Sequence, residues 1–249
     1  MKNEEDSLWR IGGRNSVHEA LSAGLALCIY VKKGKKQGQI LDVMNEAAEL
    51  RLPVHEVDER ALDYLVPGVR HQGIAADLKP FLYSELNDVL AGTKEEDPFL
   101  ILLDGVEDVR NLGAIIRSAE CAGAAAVLIP RHRSCQVTAA AMKTAAGACA
   151  YMPVCRIGNI SQTLETLKKK GFWVVGTDMD GADLYSDANL KGPLVIVMGA
   201  EGKGMSALTR KMCDFCVRIP LAGRVSSLNV SAAATLLLYE ARRQRGRKS

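Results

Sequence analysis

Five short apolar runs recur in the later part of the chain, at residues 99–103, 125–129, 152–157, 172–176 and 194–198. Between them lie stretches with helical spacing of apolar residues, at 114–122, 139–148 and 160–170. Such a run has no polar face, so the strand it forms must be covered on both sides. Helices between successive strands provide the cover and return the chain to the same edge, which makes the strands parallel. The chain is therefore expected to be an α/β protein whose larger part is a parallel sheet with helices on both faces. Ligands of such sheets bind in the loops after the carboxyl ends of the strands, and chemistry is sought there.

The earlier part alternates in the same way on a smaller scale. Helical patterns at 16–23, 39–52 and 59–65 alternate with strand-like segments at 25–31, 53–57 and 73–78, which reads as a small α/β domain. Residues 84–98 turn polar and acidic, with Ala91-Gly92-Thr93-Lys94-Glu95-Glu96-Asp97-Pro98 at their end, and a linker is expected there. The resulting division is a tail at 1–7, a small domain at 8–80, a linker at 81–97 and the large domain at 98–249.

Composition narrows the class. No apolar run approaches the roughly 18 to 20 residues needed to cross a bilayer, so no membrane segment is expected. The acidic, polar start lacks the basic and apolar stretches of a secretory signal, which favours the cytoplasm. Seven cysteines, an odd number set in apolar surroundings, read as buried thiols. Cys213 and Cys216 form a C-x-x-C pair without the further ligands a zinc site needs, so no metal is expected. The net charge of +3 is small, yet the cations cluster: Lys32, Lys33, Lys35 and Lys36; Arg131 and Arg133; and Arg242, Arg243, Arg245, Arg247 and Lys248. Clusters in a near-neutral chain tilt the reading towards a polyanion, RNA or DNA.

Three loops at strand ends stand out. In Asp104-Gly105-Val106-Glu107-Asp108-Val109-Arg110-Asn111-Leu112-Gly113-Ala114-Ile115-Ile116-Arg117, Asn111 and Gly113 are placed at the mouth of a helix. One helical face is expected to carry Asn111 and Arg117 to a common site, where arginine would grip a phosphate; a capped helix with a surface arginine is the plainer reading. Met198-Gly199-Ala200-Glu201-Gly202-Lys203-Gly204-Met205 has the glycines that allow close backbone approach to a ligand. It is no Walker motif, since Lys203 is followed by Gly204 rather than Ser or Thr, and this disfavours an ATPase. The third loop, Ile219 to Ser231, gathers Ser226, Ser227 and Asn229 before a very apolar helix that runs to Arg242. Capping explains one of these polar residues but not why so many surround Leu228 beside a buried helix.

Taken in order, Asn111-Leu112-Gly113-Ala114-Ile115-Ile116-Arg117, Gly199-Ala200-Glu201-Gly202-Lys203-Gly204 and Ser227-Leu228-Asn229-Val230-Ser231 resemble the motifs of the SPOUT superfamily of RNA methyltransferases, within it the TrmH/RlmB group of ribose 2′-O-methyltransferases. Gly12-Gly13-Arg14-Asn15-Ser16-Val17-His18-Glu19-Ala20-Leu21 and His71-Gln72-Gly73-Ile74 are similar to that group's small L30e-like RNA-binding domain. The resemblance spans all but the linker and the tails. It implies a trefoil knot in the large domain, S-adenosylmethionine as cofactor, RNA as substrate with a guanosine of ribosomal RNA favoured, and a homodimer with the site near the subunit interface. It also implies cofactor contacts at Thr177, Met198, Gly199, Ala200, Ile219, Pro220 and Leu228. It further implies Arg117 as the catalytic group, with Glu201, Ser227 and Asn229 as polar residues of the site and Asn111 beside them.

Methyl transfer from a sulfonium asks the protein to bind the donor, align the acceptor oxygen and help a proton leave. Arginine resists deprotonation, so Arg117 is expected to hold a phosphate and stabilise the developing alkoxide rather than act as a base. His18 and His71 are expected to be structural or to touch RNA, and His132 to join the basic patch of its neighbours. A tRNA methyltransferase and a non-catalytic RNA-binding assembly factor of the same fold remain as alternatives.

Overall fold

The computed structural model describes residues 9–94 and 96–246. The N-terminal tail, Arg247 and Lys248 lie outside the described residues. Contacts divide the chain into two compact units: one contains the chain up to Leu82 together with Val137–Ala150, the other Tyr83–Gln136 and the chain from Tyr151 onward.

The first unit is built on a four-stranded sheet of order β1-β4-β2-β3, formed by β1 (Arg10–Gly12), β2 (Ala26–Lys32), β3 (Val54–Val57) and β4 (Ile74–Leu78). β4 runs antiparallel to both β1 and β2, and β2 is parallel to β3. Alternation along β2 and β4 buries Ile29, Val31, Ile74 and Ala76. Helices α1 (Arg14–Ser22) and α2 (Gln39–Glu49) bury Val17, Leu21, Val43 and Ala47. α3 (Glu59–Leu65) starts at Asp58, whose side chain accepts from the Ala61 N–H at 2.8 Å, and buries Leu62 against Val66 and Ala75. β1 gave no sequence signal, because three residues are too few for a period. Helix α6 (Ala139–Ala145) groups with this unit although it lies within 98–249 in sequence. It stops short of the expected residue 148 because Ala146 and Gly147 both take positive φ, 47° and 81°.

The second unit carries seven parallel strands in the order β7-β6-β5-β10-β8-β11-β9. They are β5 (Phe99–Asp104), β6 (Ala126–Pro130), β7 (Val154–Ile157), β8 (Trp173–Thr177), β9 (Asp183–Leu184), β10 (Leu194–Gly199) and β11 (Phe215–Arg218). The five apolar runs are the five strands of the sheet's middle and one flank, and β5, β6 and β10 are buried along nearly their whole length. Helices α5 (Val109–Ala122), α7 (Ile160–Lys169), α8 (Ala207–Met212) and α9 (Val230–Gln244) complete the unit.

The expected linker needs correction. Residues 86–92 form helix α4 (Leu86–Gly92), and Leu86, Val89 and Leu90 pack against a core of Leu100, Leu102, Val174 and Val195. Spacing of i, i+3 and i+4 puts the three on one helical face, a pattern masked by the acidic residues around it. α5 also begins five residues earlier than its apolar pattern, because the Asp108 carboxylate caps it, accepting from the N–H groups of Arg110 at 2.6 Å and Asn111 at 3.3 Å.

Candidate active site

Because all seven strands are parallel, their carboxyl ends share one edge of the sheet. On the β10, β8 and β11 stretch of that edge lies a cavity of about 500 Å³. Thr177 closes β8, Met198 and Gly199 close β10, and Ile219 follows β11; all line the cavity, as do Ala200, Glu201, Ser227 and Leu228 from the loops. Its walls combine aliphatic and thioether groups, Met198, Met205, Val217, Ile219 and Val230 among them, with the charged side chains of Asp178, Asp180, Glu201, Lys203 and Arg210.

The glycine-rich loop folds back on itself. The Ala200 N–H donates to the Gly204 carbonyl at 3.0 Å and the Gly204 N–H to the Ala200 carbonyl at 2.8 Å. This turn brings backbone against Gly199: a Cβ there would lie 2.2 Å from both the Gly204 carbonyl carbon and the Met205 nitrogen. No side chain fits. Asp104, at the end of β5, accepts from the Ser206 N–H at 2.8 Å and so anchors the far side of the loop.

A chain of amides ties the three loops together. The Asn229 side-chain N–H donates to Asn111 Oδ1 at 3.0 Å, and Asn111 Nδ2 donates in turn to Glu201 Oε2 over a longer 3.5 Å. Asn229 Oδ1 is occupied at the start of α9, accepting from the Ser231 N–H at 2.9 Å and from the Ser231 hydroxyl at 2.6 Å. These partners fix which way each amide faces, since an amide's oxygen only accepts and its nitrogen only donates. One residue thus caps a helix and orients a neighbour 118 positions away in sequence.

The structure places the expected site residues in three groups. Thr177, Met198, Gly199, Ala200, Glu201, Ile219, Ser227 and Leu228 line the cavity. Asn111 and Asn229 stand outside the lining, joined to Glu201. Pro220 and Arg117 are also outside it. The expectation that one helical face carries both Asn111 and Arg117 is corrected: six residues turn a helix by roughly 240° net, so Asn111 reaches Glu201 while Arg117 is exposed. Arg117 has no hydrogen-bond or ion-pair partner among the described residues. The sequence also missed Asp178 and Arg210, which line the cavity and form an ion pair of 2.9 Å. Asp178 directly follows Thr177 at a strand end, the position that should have drawn attention to it.

Other groups singled out in the sequence have structural work. His71 is buried, its Nδ1 accepting from the Gly73 N–H at 3.0 Å and its Nε2 facing Asp63 at 3.1 Å. Cys213 and Cys216 pack over Gly176, and burial pushes the Cys213 thiol up to about 12 and the Cys216 thiol upward too. Both stay protonated at neutral pH. Of the basic clusters, Lys32 and Lys36 are paired with Glu59 and Glu56, each at 2.7 Å, and Arg243 with Glu240. Arg245 turns inward to backbone carbonyls, which removes it from the cluster of cations at the end of the chain.

Known proteins resemble this chain over most of its length. Residues 98–239 match the SpoU rRNA Methylase family, and residues 10–84 match the family described as RNA 2'-O ribose methyltransferase substrate binding. The 23S rRNA (guanosine-2'-O-)-methyltransferase RlmB of Photobacterium profundum is 44% identical over 220 residues, covering 87% of this chain and 89% of its own length. The crystal structure of an RNA 2'-O ribose methyltransferase superposes with a TM-score of 0.79 at 30% identity, covering 98% of this chain and 92% of that one. An AdoMet-bound rRNA methyltransferase from Sinorhizobium meliloti superposes at 0.75 with 26% identity, over 94% of this chain and 87% of that one. Fold, site and matches together define an RNA 2′-O-ribose methyltransferase. More particularly, the chain belongs to the SpoU rRNA Methylase family.

Proposed function

We propose that this enzyme methylates the 2′-hydroxyl of a guanosine in 23S ribosomal RNA, with S-adenosylmethionine as donor. The observation that carries the reading is the amide chain from Asn229 through Asn111 to Glu201, because it joins all three motif loops at the wall of one cavity. The acceptor follows from the named activity of the RlmB relative and from the substrate-binding match at residues 10–84.

The cavity's lining fits the cofactor. Its volume is within the roughly 300 to 1,000 Å³ usual for small-molecule sites, the apolar part of its walls suits a flat base, and the glycine loop offers exposed backbone groups. Thr177, Met198, Gly199, Ala200, Ile219 and Leu228 would hold it, while Pro220 acts by fixing the backbone beside Ile219. When bound, S-adenosylmethionine supplies an electrophilic methyl group on a sulfonium. Glu201 and Ser227 offer acceptors to the ribose hydroxyls, and Asn111 and Asn229 hold Glu201 in its orientation. Arg117, exposed and free of an ion pair among the described residues, grips the phosphate beside the target ribose and stabilises charge on the 2′-oxygen as its proton passes to phosphate or water.

Three finer features belong to the same reading. The segment from Ile219 into α9 forms the threaded part of a trefoil knot. The enzyme works in the cytoplasm as a homodimer, the second copy covering Leu236 and Tyr239 of α9, which are 39% and 49% exposed. Light scattering on a size-exclusion column tests the dimer; a mass near the 26.9 kDa of one chain overturns it.

The decisive experiment is transfer of labelled methyl groups to unmodified 23S rRNA, with the product mapped by resistance of the 2′-O-methylated linkage to alkaline cleavage. One labelled guanosine in 23S rRNA is expected. Label on a base, or in tRNA alone, overturns the assignment of the acceptor, and no transfer to any RNA overturns the reading as an enzyme.

A further inference from the structure

The basic loop after β6 is not used by the reading above, and its place on the sheet gives it a role. β5 pairs with β10 so that Asp104 lies beside Gly199, and the register between β5 and β6 brings Pro130 level with both. Residues 131–136 therefore leave the same carboxyl edge as the cofactor cavity, two strand spacings from β10, or roughly 10 Å. The intervening strand, β5, leads through Asp108 to Asn111.

This loop is braced rather than loose. The Cys135 N–H donates to the Val106 carbonyl at 3.0 Å, and the Ser134 hydroxyl reaches the same oxygen at 3.4 Å, tying the loop to the one that enters α5. Gln136 Nε2 closes the base, donating to the Pro130 carbonyl at 3.1 Å. Arg133 is held at a φ of 56°, a left-handed conformation that costs a non-glycine residue about 1 kcal/mol or more. Arg131, His132 and Arg133 are all exposed, and none forms an ion pair among the described residues. A strained, fixed turn that presents two unpaired guanidiniums, each a planar fork of donors, suits oxyanions of defined position.

We propose that Arg131 and Arg133 bind backbone phosphates of the RNA strand flanking the target nucleotide, on the Asn111 side of the cavity. The proposal rests on the reading of the cavity as the methyl-transfer site. It makes the β6 loop a second anchor that sets the strand's direction across the sheet edge, while base identity is read elsewhere. Arg131 and Arg133 act by positioning the RNA and do not touch the reacting atoms.

The test compares the double variant R131A/R133A and the charge-conserving R131K/R133K with the unaltered enzyme. Methylation kinetics, calorimetry with S-adenosylmethionine and anisotropy of a fluorescein-labelled fragment of unmodified 23S rRNA are measured across a salt series. For R131A/R133A the KM for RNA is expected to rise roughly ten-fold, with kcat at saturating RNA and cofactor affinity retained. The plot of log affinity against log salt should become shallower by about 1.4, the slope carried by two phosphate contacts on a single strand. The lysine variant should keep the wild-type slope. Unchanged RNA affinity and slope in R131A/R133A overturn the proposal even if the enzyme methylates RNA normally. Should the unaltered protein transfer no methyl group, the reading of the cavity fails, and the anisotropy titration still decides whether the loop binds RNA.

Discussion

At the scale of single residues, Gly199 shows most directly how the backbone path makes the site. Its missing Cβ lets the Gly204–Met205 peptide close over the end of β10. Gly199→Ala must push that peptide away, because the colliding atoms are backbone and have no rotamer to escape into. The variant is expected to bind S-adenosylmethionine roughly ten-fold more weakly or worse, about 1.4 kcal/mol, by calorimetry. Gly158→Ala is the control: it ends the loop-side of β7, its Cβ would meet nothing within 4 Å, and its φ is not positive. Equal affinity in both variants would remove the glycine turn from the cofactor site. This constraint was partly legible in the sequence, since three glycines in the loop signalled close approach. Which glycine is irreplaceable was not, because the clash partner, Met205, meets Gly199 only after the turn has closed.

At the scale of elements, the long strands were readable because burial on both faces keeps β6, β10 and all but the last residue of β5 apolar, while β7 and β8 carry one polar residue each, Arg156 and Thr177. Their spatial order was not, since a crossover that returns to the far side of β5 looks in sequence like any other helix. Short or disguised elements were lost for a different reason: β9 has two residues, and the apolar stripe of α4 is hidden among acids. The start of α9 joins both levels, because Asn229 is its cap and also the first link of the amide chain. Two substitutions separate these roles. Asn229→Ser keeps a capping oxygen but has no amide to reach Asn111, so its melting temperature should stay near wild type while kcat falls roughly ten-fold. Asn229→Ala loses both, adding about 1 kcal/mol of destabilisation and a fall of roughly 2 to 4 °C in melting temperature. Full kcat in the serine variant would leave Asn229 as a cap alone.

At the scale of the whole chain, the C-terminal helix is held by Arg245, which connects segments far apart in sequence. Its guanidinium donates to the carbonyls of Leu190 and, at 2.6 Å, Gly192, reaches towards the Asp97 carbonyl at 3.5 Å, and stacks 4.7 Å above the Phe99 ring. Gln244 completes the clamp, its Oε1 accepting from the Leu190 N–H and its Nε2 donating to the Ala188 carbonyl, each at 2.9 Å. The clamp thus fixes the segment entering β10, the strand whose other end forms the glycine turn. Burial lowers the arginine's pKa from its ordinary value; the guanidinium, which proteins do not deprotonate, saturates acceptors that water reaches poorly. Arg245→Met keeps much of the packing on Phe99 and leaves the Leu190 and Gly192 carbonyls without their donor. The expected loss is about 3 kcal/mol, or roughly 6 to 12 °C in melting temperature. Arg245→Lys should fall between the two, because its ammonium still donates but reaches fewer of the carbonyls that the planar fork spans. Amide exchange in Arg245→Met should quicken first at residues 188–194. An unchanged melting temperature and exchange pattern would mean that the helix docks through Leu237, Leu238 and Ala241 alone, with the arginine adding nothing to the hold on β10.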